Sequence, residues 1–165
     1  MQRLFLIRHA KSDWANNAIS DIDRPLNDRG YRDAYFMSRS LKSAGIVPDL
    51  IISSPAIRAV STALIFSRTL NHDPSKISFQ KSLYDSSIKD YLRVIAAHAG
   101  EHKVIFLFGH NPIITNTCNT LSKTFVEDLS TCAIAGIEFD TNNLKKEQTS
   151  KGELILLDFP KNNRN

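Results

Sequence analysis

The chain of 165 residues is 42% hydrophobic and carries a formal net charge of +4 at pH 7, long enough for one domain with a substantial core, short for two, and too apolar for disorder. Its basic excess is dispersed among acids and never gathers into a stripe with interleaved aromatics, which argues against nucleic-acid binding; NNLKKEQTSKG reads as a solvated loop. Two cysteines, Cys118 and Cys132, make no disulfide framework and read as buried free thiols, and no apolar run suits a membrane span or signal core, so a cytoplasmic monomer with no membrane partner is expected.

RLFLI (3–7) is a short apolar run of the kind that forms a strand buried on both faces. It hands over abruptly to Arg8 and His9, with Lys11, Ser12, Asp13 and Trp14 close behind. NDRGYRDAYFMSRSLKSAG predicts a helix in which Tyr31, Ala34, Tyr35, Met37, Leu41 and Ala44 recur near helical spacing, with Asn27 as N-cap and Gly45 as the stop. Tyr31, Tyr35 and Phe36 are expected in the core and on the helix face. DLIIS (49–53) is a second strand, and SSPAIRAVSTALIFSRTL a helix with Ser54 as N-cap and Pro55 in the first turn. KISFQ (76–80) is a weak third strand, followed by a helix around IKDYLRVIAAHAG. KVIFLFG (103–109) is a strong buried strand leading into HNPIITNTCNTLS, a helix opened by Asn111 and Pro112. CAIAGIEFD and GELILLDF predict an antiparallel pair across the polar loop 141–152. One domain is expected over 1–160, with a frayed tail at 161–165.

Strands alternating with helices imply an α/β three-layer sandwich: a mostly parallel central sheet, helices on both faces, and an antiparallel C-terminal hairpin. Right-handed crossovers put the strands' carboxyl ends on one edge, where ligands bind in such folds. Arg8 and His9 follow the first strand, and Ser53, Ser54 and then Arg58 the second. Asp85, in SLYDSS, follows the third strand and His110 the fourth. Two guanidiniums offer planar forks of donors to phosphate oxygens. Helix openings at Ser54 and Asn111 add backbone N–H groups and positive dipole ends.

The guest that suits this set is a phosphoryl group. A neutral imidazole at its centre can attack phosphorus, with Arg8 and Arg58 disfavouring imidazolium, while the second imidazole is a cationic or donating partner for the oxygens. Taken singly, His9 reads more often as a capping or core histidine than as a nucleophile, and Arg58 reads also as a surface helix residue paired with an acid and His110 as a helix cap; their joint placement after strands favours the site. Ser12, Arg24 and Asn111 are candidate substrate contacts, and Trp14 a packing or rim aromatic. His72, His98 and His102 lack partners at metal-ligand spacing, and Asp21 and Asp23 lack a third ligand, so neither metal nor cofactor is expected.

LIRHAKSDW, DRPLNDRG, SSPAIRAVSTA, LYDSS and FGHNP together resemble the histidine phosphatase superfamily (phosphoglycerate-mutase-like, or RHG, proteins) and, among its branches, the small phosphohistidine phosphatases of the SixA type. The resemblance implies that His9 is the phosphorylated nucleophile and that Arg8, Arg58 and His110 hold the phosphate. Asp85 falls where many relatives carry the general acid, Asp90 or a solvent proton being the alternative. It further implies that no metal is needed and that water hydrolyses the phosphohistidine intermediate. Three positions depart from the pattern. Ala10 stands for the glycine of RHG, Lys11 and Ala15 stand where mutases carry other polar side chains, and Asp85 is one methylene shorter than the more frequent Glu. The long insertions with which mutases enclose a sugar acid are missing. The expected function is a metal-independent phosphatase acting on protein phosphohistidine. The alternatives are a phosphatase for a small phosphate ester, such as a sugar or other metabolite phosphate, and a non-catalytic module that recognises phosphorylated partners.

Overall fold

The computed structural model describes residues 1–140, 143–146 and 150–160; the expected frayed tail at 161–165 and part of the polar loop 141–152 lie outside the described residues. Six strands, β1 (Gln2–Arg8), β2 (Leu50–Ser53), β3 (Ser78–Phe79), β4 (Val104–Gly109), β5 (Ile134–Phe139) and β6 (Glu153–Asp158), form one sheet in the order β3-β2-β4-β1-β5-β6. β3, β2, β4 and β1 are parallel neighbours, whereas β5 runs antiparallel to both β1 and β6. Four helices, α1 (Asp28–Ser43), α2 (Ile57–Thr69), α3 (Ile88–Ala99) and α4 (Ile113–Leu121), complete the α/β architecture expected from the sequence.

Side-chain alternation along the central strands builds the three layers. Leu4 and Leu6 of β1, with Ile105 and Leu107 of β4, pack against Tyr91 and Ile95 of α3 and Ile114 and Cys118 of α4. Phe5, Ile7, Phe106 and Phe108 face the other way, onto Met37 and Leu41 of α1 and Ala63 and Phe66 of α2. The rings of Phe5 and Phe106 meet at 5.2 Å and those of Phe66 and Phe108 at 5.2 Å, edge-on or tilted as their quadrupoles favour. Burial of each such side chain is worth about 1.5–3 kcal/mol. Both cysteines are buried free thiols, as expected of two cysteines that make no disulfide framework. Among the described residues no helix is long and apolar enough to cross a membrane.

α1 starts and stops where its sequence says. Asn27 accepts the Gly30 N–H at 2.8 Å, and Gly45 takes φ +70 while Gly45 and Ile46 donate to the Lys42 and Leu41 carbonyls at 3.0 Å. Other boundaries shift. β3 keeps only two residues of KISFQ, being a sheet edge with one neighbour. The N-cap of α2 is Ala56, two residues after the expected Ser54, whose hydroxyl accepts the Ala56 N–H and meets His110 Nε2. α4 begins after Pro112, and Asn111, joined to it by a cis peptide, does not cap it. Tyr31, Tyr35 and Phe36, expected in the core and on the helix face, are each more than 40% exposed. α1 buries a narrower stripe of Gly30, Ala34, Met37 and Leu41, because Gly30 sits against the Lys11 backbone and turns the aromatics outward.

Candidate active site

The register of the sheet assembles the site. β1 and β4 pair Arg8 with Gly109, so the next residues, His9 and His110, emerge side by side from adjacent strands, their ring centroids 5.1 Å apart. Gly109 is required there: a Cβ would lie 2.3 Å from the Tyr91 hydroxyl, which accepts the His110 backbone N–H at 3.0 Å. Arg58 arrives from the first turn of α2. Together Arg8, His9, Arg58 and His110 line a cleft of about 200 Å³, joined by Lys11, Ser12, Trp14, Arg24, Asn111 and Thr131. A larger concavity of about 710 Å³, between the exposed aromatics of α1 and Pro160, holds no histidine.

His9 is 7% exposed, and its Nδ1 lies 2.7 Å from the Ala10 carbonyl. A carbonyl only accepts, so Nδ1 carries the proton and Nε2 keeps its lone pair. Burial above all, then His110, Arg58 and Arg8, push the His9 pKa down to about 3, against the opposing pull of the Ala10 hydrogen bond. The imidazole is therefore neutral at physiological pH. The backbone around it is held from two sides. Ala10 N–H donates to Thr62 Oγ1 at 3.0 Å, and Cys132 N–H, from a residue at φ +63, donates to the Arg8 and His9 carbonyls at 3.1 Å.

His110 is tied at Nε2 to Ser54 Oγ, 2.7 Å away. The same hydroxyl accepts the Ala56 N–H at 3.2 Å, so Ser54 holds both the start of α2 and the His110 ring. Burial and Arg58 push the His110 pKa down to about 4, so it meets the cleft as a neutral imidazole rather than a cation. Three buried nitrogens of this constellation, Arg8 Nε, Arg58 Nε and His110 Nδ1, have no hydrogen-bond partner. The capacity for an oxyanion lies in the side chains that line the cleft together, the Arg8 and Arg58 guanidiniums beside the His9 and His110 imidazoles, whose donors suit a phosphoryl group.

The contacts of Asp21 were not legible in the sequence. It sits in a single 3-10 turn, Asp21–Asp23, and its carboxylate accepts from Arg24 Nε at 3.0 Å, Arg58 Nη2 at 3.1 Å and Tyr84 Oη at 2.7 Å, while its carbonyl accepts from Arg58 Nη1 at 2.7 Å. Tyr84, then Arg24 and Arg58, hold its carboxyl down to about 2. Tyr84 also presents its ring edge-on to His110 at 5.8 Å. The 37 and 63 residues that separate these partners from Asp21 explain why no local pattern announced them.

The candidate substrate contacts divide. Ser12 and Arg24 line the cleft and bond each other, Arg24 Nη1 donating to Ser12 Oγ at 2.7 Å. Asn111 lines it too, but its amide donates to Asp128 Oδ1 and the Leu129 carbonyl at 2.8 Å, and Arg8 Nη1 reaches the same carbonyl at 3.0 Å, so both clamp the segment before β5. Asp85 is not among the side chains that line the cleft: it is exposed, at φ +51, while its neighbour Tyr84 lies edge-on to His110. Asp90 is occupied in the capping box of α3 with Ser87.

This geometry agrees with what the chain resembles. Residues 4–91 match the model of the histidine phosphatase superfamily (branch 1). An uncharacterized chloroplastic protein of Arabidopsis thaliana is 30% identical over 145 residues, covering 86% of this chain and 64% of that protein. A 2,3-bisphosphoglycerate-dependent phosphoglycerate mutase of Streptomyces avermitilis is 38% identical over 63 residues, 37% of this chain and 25% of the mutase. The chain thus spans less than two thirds of these relatives. Among solved structures, SixA from Agrobacterium tumefaciens superposes with a TM-score of 0.82 at 28% identity, covering 96% of this chain and 98% of that one. A protein histidine phosphatase SixA complexed with tungstate gives 0.84 at 21% identity, covering 99% and 100%. The chain belongs to the histidine phosphatase superfamily, branch 1.

Proposed function

We propose that the protein is a phosphatase that works by two displacements at His9 and that its substrate is a phosphohistidine carried by another protein. The observation that carries the first part is the convergence of Arg8, Arg58 and His110 on one cleft with His9, whose Nδ1 proton goes to the Ala10 carbonyl and leaves the Nε2 lone pair for phosphorus. Nε2 attacks phosphorus as the bond to the leaving nitrogen breaks, giving phospho-His9. Water then attacks that phosphorus, the P–Nε2 bond breaks, inorganic phosphate leaves and the water proton passes to solvent. Arg8, Arg58 and His110 bind the oxygens in both steps, and loss of one such donor lowers the rate about 10²–10³-fold.

The nature of the leaving group supports the second part. An alkoxide must be protonated as it departs, whereas an imidazole protonated by solvent on its other nitrogen departs neutral. Among the described residues the cleft is lined by basic, hydroxyl, amide and aromatic side chains, with Asp85 outside it. Likeness to SixA structures points the same way. The test is rapid quench with a ³²P-labelled phosphohistidine peptide, run beside a panel of metabolite phosphates. Label on His9 in the wild type, its loss in His9→Ala, and preference for the peptide are expected. Substrate bound without turnover would favour a recognition module, and preference for an ester would favour the small-molecule alternative.

A further inference from the structure

We infer that Trp14 is a specificity-determining residue: its indole is a stacking surface for a neutral, planar leaving group, and it makes the cleft select phosphoryl groups carried on an imidazole ring. This rests on the phosphatase reading above. Trp14 is 67% exposed, yet it is fixed in place. Behind it the Arg24 guanidinium carbon stands 3.4 Å from the ring centroid. Arg24 is itself 7% exposed and cannot swing away, being held by Asp21 Oδ1 at 3.0 Å and Ser12 Oγ at 2.7 Å. The backbone on the approach to Trp14 is paired as well, through the Ser12–Leu26 bridge and the Asp13 N–H to Pro25 carbonyl bond of 2.8 Å.

An indole clamped on one face and open on the other, on the wall of the cleft that holds His9 and Arg58, has one face to offer. In-line attack by His9 sends the leaving group away from the nucleophile, toward the mouth. A flat ring there gains stacking with the free face. The cation behind the indole decides which flat group. Arg24 draws electron density toward its own side and repels a second positive charge, so the free face favours the imidazole ring, which loses its charge as the P–N bond breaks, over a guanidinium or an ammonium. The chemistry recognised is therefore phosphohistidine rather than phosphoarginine or phospholysine.

The experiment compares kcat/KM for a phosphohistidine peptide with that for phosphoramidate, which has the same P–N bond and no ring, in the wild type, Trp14→Ala and Trp14→Phe. In Trp14→Ala the ratio of peptide to phosphoramidate kcat/KM is expected to fall about fivefold to tenfold, chiefly through KM, with Trp14→Phe recovering most of it. An equal loss on both substrates, or none on either, would overturn the stacking role. A phosphoarginine peptide turned over by the wild type as well as the phosphohistidine peptide would overturn the selectivity. Turnover of no P–N substrate by the wild type would instead remove the phosphatase reading, and the inference with it.

Discussion

Replacement of His9 and His110 by asparagine, singly and together, should remove a specific acid sensitivity from the fold. In the native protein the two imidazoles are held down to about 3 and about 4, whereas in the unfolded chain both return to about 6.5. Between those values the unfolded state binds protons that the native state refuses, so stability is complete above about pH 6.5 and declines as pH falls toward the folded values. At pH 5 each histidine removes about 2 kcal/mol, the two together about 4 kcal/mol, a large part of the roughly 5–15 kcal/mol that holds an ordinary domain together. Urea unfolding at about pH 7 and about pH 5 measures the difference directly. The wild type should lose the full amount, each single variant about 2 kcal/mol less, and the double variant less again. Other titrating groups are common to all four proteins and cancel. A double variant with the wild-type pH dependence would refute the claim that both imidazoles are buried neutral.

Asp21→Ala removes the carboxylate shared by Arg24, Arg58 and Tyr84 and leaves Arg58 its bond to the residue-21 carbonyl; kcat/KM should fall about tenfold because the Arg58 fork loses one of its two anchors. The stability loss by urea titration should be only about 1 kcal/mol, since the carboxylate is half exposed and screened. Because its carboxyl is held to about 2, the Asp21 contribution is present above about pH 4 and fades only as pH falls through about 2. Gly109→Ala drives a methyl into the Tyr91 hydroxyl and should cost about 1–3 kcal/mol and displace His110; combined with Tyr91→Phe, a double-mutant cycle of urea stabilities should show part of that clash relieved. Gly30→Ala, normally favourable in a helix, here puts a Cβ 2.1 Å from the Lys11 carbonyl, so it should lower Tm and raise KM by moving Lys11 and Ser12.

What could be read from the sequence followed from periodicity. The apolar runs of β1 and β4 and the strand–helix alternation give the layered architecture, and the sheet's chirality then sends Arg8, His9, Arg58 and His110 to one edge, where they line one cleft. The features that escaped are those made by contacts between distant segments. Ser54 and Asn111 have the composition of helix caps, but the Ser54 hydroxyl is shared between the Ala56 N–H and His110, and the Asn111 Oδ1 that would cap α4 accepts from Thr115 Oγ1 instead. Asp21 looks like loop punctuation until α2 and the segment after β3 fold over it. The exposure of Tyr31, Tyr35 and Phe36 depends on the rotation of α1 that Gly30 sets, and helical spacing alone is blind to it.

The position of β1 has a consequence for how the molecule loosens. Its residues are bonded to β4 along one side and β5 along the other, so the amides leading to the nucleophile should be among the last to exchange with deuterium. The largely exposed stretch from Ala15 to Ser20, by contrast, should exchange early. Under mild heat or denaturant, then, the rim that greets an incoming partner frays while the bond-making centre is still intact, and discrimination between substrates should fade before turnover does.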